Sequence, residues 1–125
     1  MPKRPKRTPL VRYADATAPL DCPYGHVRRV VTGGEGGVAN VHIVKVTRGT
    51  THFHAAYDEV YYVLGGVGRL SLNEETHALR PGAVAVIPAG MPHALDADPG
   101  QTLEFVIFGT PPMSIEDERA RPQKP

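Results

Sequence analysis

Short runs of β-branched and apolar residues recur along the middle of the chain, and turn-forming residues end each of them. Residues 27–32 (VRRVVT) form the first run, and the glycine-rich stretch 33–37 reads as a turn. Residues 38–47 (VANVHIVKVT) form the second, interrupted by Arg48-Gly49. Further runs lie at 59–64, 69–72, 76–79, 83–87, 93–95 and 103–108, separated by Gly65-Gly66, Asn73-Glu74-Glu75, Pro81-Gly82 and Pro88-Ala89-Gly90. About eight short strands, with a turn signal roughly every 8–12 residues, predict an all-β sandwich or barrel. No segment holds a helical period beyond two turns. Closure into a barrel or jelly roll removes the exposed strand edges such a chain would otherwise carry.

The ends break this pattern. Residues 1–10 open with MPKRPKRTP, in which cations alternate with prolines. Like charges repel and proline removes backbone donors, so a basic disordered arm is expected there. Residues 111–125 are proline-rich and charged, a flexible tail with room for one helical turn capped by Ser114. The barrel domain is therefore assigned to residues 11–110. The 125 residues fit one domain, and 13 glycines with 13 prolines agree with a turn-rich, helix-poor chain.

Charge and composition narrow the partners. The net charge is +1 and tryptophan is absent, which argues against nucleic acid as the main partner. No apolar run is long enough to span a membrane, and no apolar segment follows the basic start, so the expected compartment is the cytoplasm. Cys22 is the single cysteine, which excludes an intramolecular disulfide and a cysteine-based zinc site.

The histidines carry the chemistry. His52 and His54 flank Phe53, and alternate residues of an extended strand share a face. Glu59 follows five residues after His54, and a turn between them brings its carboxylate back beside the pair. His93 comes later, in the spacing Gly82-x5-Pro88-x-Gly90-x2-His93. Three imidazoles and one carboxylate suit one divalent transition metal ion (iron, manganese, nickel, cobalt or zinc) rather than calcium or magnesium. Gly66 and Gly90 stand where tight turns need positive φ.

These two segments resemble the paired motifs of the cupin superfamily. The first motif, G-x5-H-x-H-x3,4-E-x6-G, is met by His52, His54, Glu59 and Gly66. The second, G-x5-P-x-G-x2-H-x3-N, is met by Gly82, Pro88, Gly90 and His93. Val46 stands where the leading glycine would fall, and Ala97 replaces the closing asparagine. The resemblance spans residues 38–108. It implies a cupin-type jelly-roll barrel (a double-stranded β-helix), with His52, His54, Glu59 and His93 as metal ligands and a homodimer as the assembly.

Strand parity assigns the remaining candidates. His42 shares a face with Val44 and Val46, and burying Lys45 on the other face would be costly, so His42 is expected to line the cavity. Tyr61 and Val63 share the face of Glu59, and the Tyr61 hydroxyl is placed to hydrogen-bond a ligand. His42 and Tyr61 are the candidate catalytic residues beside the metal. The expected lining is mostly apolar and short of cations, with Arg69 and Arg80 considered only for the reverse parity. His77 and His26 are expected to take no part. The implied function is a metal-dependent cupin enzyme acting on a small organic molecule. The apolar lining ranks dioxygenase chemistry slightly above a sugar isomerase or lyase. A non-catalytic module that binds a metal or small ligand is the alternative.

Overall fold

A computed structural model describes residues 9–33 and 38–112. The expected disordered arm at 1–8, most of the glycine turn, and the helical turn after Ser114 lie outside the described residues. After a short 3-10 turn at Ala14–Ala16 come ten strands: β1 (Leu20–Cys22), β2 (Gly25–Val31), β3 (Asn40–Val46), β4 (Arg48–His52), β5 (Asp58–Gly65), β6 (Gly68–Leu72), β7 (Glu75–Leu79), β8 (Val84–Ile87), β9 (His93–Ala97) and β10 (Leu103–Thr110). They form two antiparallel sheets, one in the order β1-β2-β3-β10-β5-β8 and the other β4-β9-β6-β7. Among the described residues there is no α-helix, and none long and apolar enough to cross a membrane.

Two strands were not anticipated. β1 is only three residues long, and β4 (RGTTH) has almost no apolar residue to mark a face. β4 forms because its neighbours supply the pairing: Arg48 sits opposite Asp96 and His52 opposite His93. Gly49 packs against Leu95, so the Arg48-Gly49 pair lies within a strand instead of ending one.

The core fills the space between the sheets. Val44, Val46, Tyr61, Val63, Leu103 and Phe105 face it from the six-stranded sheet, and Leu70, Leu79 and Leu95 from the other. The expected parity holds: β3 reads buried at Asn40, His42, Val44 and Val46, while Lys45 points outward toward Glu104, 3.7 Å away. Gly66 adopts φ 86° and Gly90 φ 84°, as the turns require. At Gly66 a Cβ would run into the Thr102 carbonyl, so glycine is needed there for space as well as for conformation.

Candidate metal centre

His52 and His93 face one another across the β4/β9 ladder, with ring centroids 4.3 Å apart. β4 ends at His52, so His54 lies in the following loop and not in the same strand. That loop is tied down from two sides. The Gly90 N–H donates to the His54 carbonyl at 2.7 Å, and the Ala89 N–H donates to the Asp58 carboxylate at 2.8 Å. The second motif thus fixes the backbone of the first. One nitrogen from each of His52, His54 and His93 can be chosen so that all three lie within 4.8 Å of one another.

Glu59 reaches this cluster from the other sheet. It is 5% exposed, and its Oε1 lies 3.2 Å from His54 Nε2 and 3.4 Å from His93 Nε2. Burial pushes the Glu59 carboxyl up, but contacts with His54 and His93 and the charge of their rings pull it down further, to about 2. The Tyr61 hydroxyl donates to Glu59 Oε1 at 3.4 Å.

The Nδ1 atoms are all engaged. His52 Nδ1 is 2.8 Å from the Thr50 carbonyl, and His93 Nδ1 is 2.9 Å from the Met91 carbonyl. A carbonyl only accepts, so each Nδ1 carries the proton and each Nε2 keeps its lone pair. His54 Nδ1 is 2.7 Å from the Tyr57 hydroxyl, and the two rings stack at 4.5 Å. Tyr57 fits because Gly109 has no side chain: a Cβ there would touch its ring at 3.4 Å. The sequence spacing pointed to the imidazoles but not to these partners, which come from turns and from a ring packed across the barrel. His93 Nε2 is a fully buried nitrogen without a hydrogen-bond partner. A metal ion would satisfy it, and the donor set of three imidazoles with one carboxylate fits a divalent transition metal.

The cluster lines one side of a cavity of about 410 Å³ that opens between the sheets. His42 and Tyr61 both line it, as their parity predicted, together with Leu95, Phe105 and Ile107. Val63 instead lies in the core. His42 is pushed down to about 4, first by burial, then by the nearby Arg29 charge, against an opposing pull from Glu59. His77 is exposed beside Glu75, away from the cavity, as expected.

One expectation fails. The lining is not short of cations, because Arg29 and Arg48 both belong to it. Arg29 pairs in register with His42, which turns both inward. Arg48 lies over the Tyr24 ring at 5.4 Å. Arg69 and Arg80 remain outside. The signal for Arg29 was in the sequence, since Val27 and Arg29 share a parity. It could not be used until β2 was registered on β3.

A two-sheet jelly roll with three histidines and a glutamate gathered at one side of its cavity defines a class of small β-barrel with a candidate metal centre. The chain belongs to the cupin domain family, whose model matches residues 40–109. It is 32% identical over 66 residues to an uncharacterized protein of Methanocaldococcus jannaschii, and it spans about half the length of that relative (53% of each chain). Its fold is similar to that of KdgF from Halomonas sp., with TM-score 0.70 and 24% identity over 84% of this chain and 96% of that one. It is also similar to that of ectoine synthase from P. lautus, with TM-score 0.73 and 19% identity over 92% and 93% of the two chains. A predicted oxalate decarboxylase from Thermotoga maritima matches with TM-score 0.70 and 19% identity over 80% and 97%.

Proposed function

We propose that this cupin is a metal-dependent enzyme that acts on a small organic molecule bound in the cavity between its sheets. The observation that carries the reading is the convergence of His52, His54, His93 and Glu59 from a strand, a loop and the opposite sheet onto one point of that cavity. His52, His54, Glu59 and His93 would hold the ion, which supplies Lewis acidity and a template for a chelating substrate. Tyr61 holds the Glu59 carboxylate through its hydroxyl. His42, neutral near pH 7, takes or returns a proton at the face of the cavity away from the histidine cluster.

Proton-transfer chemistry, of the isomerase or lyase type, ranks above dioxygenase chemistry on this arrangement. The case for a dioxygenase rested on an apolar lining, and the lining carries two arginines and a neutral imidazole. KdgF, ectoine synthase and the oxalate decarboxylases share the fold, and their names span several chemistries, so the residues of this cavity and not the fold must decide. The assembly is proposed as a homodimer through the N-terminal segment, where Val11, Tyr13 and Leu20 are exposed apolar residues. Gel filtration showing a stable monomer would reject that part.

The test is elemental analysis of tag-free protein beside a His52→Ala/His54→Ala variant. Near-stoichiometric transition metal in the wild type alone is expected. The metal-loaded protein is then incubated with small hydroxy and keto acids in deuterated water, where exchange of a carbon-bound proton reports proton transfer. Oxygen uptake without exchange would return the reading to a dioxygenase. No metal in either protein after reconstitution would overturn the enzyme reading and leave a binding barrel.

A further inference from the structure

We infer that the cavity is built for an anionic substrate, a small carboxylic acid whose carboxylate away from the metal is held by Arg29. This rests on the metal-dependent reading above and names the substrate class for the same site.

The argument starts from charge. Among the described residues that line the cavity, the single acidic group is Glu59, and its carboxylate is already committed to His54 and His93. The cations of the lining are Arg29 and Arg48. A divalent ion at the histidine cluster would add two more positive charges. The occupied cavity would then be strongly positive, and an uncharged ligand would leave it so.

Geometry gives the arginines different parts. Arg29 sits on β2, in register with His42 on β3, and its Nε and Nη1 have no exposure to solvent. Its charge is felt inside the barrel, since it is among the causes that keep His42 neutral. Arg48 is exposed and lies against Tyr24. The inner guanidinium is a planar fork suited to a carboxylate, and the outer one attracts anions toward the opening. A cavity of about 410 Å³ holds one small metabolite, so a single molecule can chelate at the cluster and reach Arg29. The apolar wall of Leu95, Phe105 and Ile107 accommodates the carbon chain between the two ends.

The test uses three 2-hydroxy acids that share one chelating head: lactate, malate and 3-phosphoglycerate. Lactate has no second anionic group, malate has a carboxylate, and 3-phosphoglycerate has a phosphate. Binding to zinc-reconstituted and to metal-free protein is measured by calorimetry, with zinc content determined for every sample. Malate is expected to bind at least tenfold more tightly than lactate. Arg29→Gln is expected to erase that gap while zinc content stays unchanged, and Arg29→Lys to keep part of it. A gap that survives Arg29→Gln, equal binding of lactate and malate, or no binding of malate would overturn the inference. Preference for 3-phosphoglycerate would overturn its carboxylate assignment. Loss of zinc from the wild type would count against the metal reading instead, and the malate-to-lactate ratio in metal-free protein would still judge Arg29 separately.

Discussion

The two ends of the cavity are made by different means. At the metal end, His52, His54 and Glu59 lie within eight positions of one another, and each imidazole is steered by a neighbour two or three residues away: Thr50, Tyr57 or, for His93, Met91. At the far end, Arg29 and His42 meet only because β2 and β3 pair in the register that sets them opposite. The first end is local chemistry completed by one long-range contact, Glu59 reaching across from the other sheet. The second is a consequence of register, and a single-residue slip would turn both side chains out of the barrel. Metal affinity and anion preference should therefore fail separately when residues are changed.

The largest effect is expected at the metal end. His93→Ala removes a ligand type and the buried nitrogen that most needs a cation. Metal affinity should fall by roughly a hundredfold or more, since a binding free energy on the order of 10–16 kcal/mol for a structural zinc is shared among four ligands. Competition with a chelating dye measures this directly. Unchanged affinity would show that the ion, if any, sits elsewhere. Arg29→Gln, by contrast, should leave the metal affinity of the protein as it is.

Next comes Tyr57→Phe. It keeps the ring that stacks on His54 and fills the space beside Gly109, and it deletes only the hydroxyl at 2.7 Å from Nδ1. Partners of ligand histidines fix tautomer and ring orientation, and their loss weakens metal affinity by roughly 10–100-fold. Thermal stability of the metal-free protein should change little. If affinity is unchanged as well, His54 is oriented by its loop alone, through the Gly90 N–H to its carbonyl.

The same contrast explains what could be read from the sequence. The strand runs, the turn glycines at 66 and 90 and the four residues of the metal cluster were legible, because each depends on spacing over a few positions. Inward-facing His42 and Tyr61 followed from parity within one strand. β4 was missed because RGTTH carries no alternation, and its pairing with β9 supplies what its own sequence lacks. Arg29 was missed for a related reason: in VRRVV the two arginines have opposite parities, and only the pairing with β3 decides which one enters the barrel. Arg28 turns out and bonds the Ala14 and Thr17 carbonyls. Tyr57 left no signal, since its role depends on Gly109, fifty-two positions away in the chain.

The smallest expected effect belongs to the far end and appears as a pH dependence. The unfolded chain protonates His42 near 6.5, whereas the folded protein resists until about 4, because of burial first and of Arg29 second. Between those values the unfolded state binds more protons, so stability falls as pH falls through this window and levels off below it. The cost grows to about 2 kcal/mol by pH 5 for a shift of this size. Glu59, held down to about 2, stabilises the fold above its unfolded value of 4.5 and loses that contribution only in more acid solution, outside the window. His42→Gln should therefore flatten the stability profile of chelator-treated protein between pH 6.5 and 4, measured by urea denaturation. Ligand histidines also titrate there, but they are common to both proteins, so the difference between the profiles isolates His42. Arg29→Gln should flatten it partway, because burial remains after the charge is gone. If Arg29→Gln left the slope untouched, the guanidinium would not act on His42, and the far end would be two separate residues instead of one coupled pair.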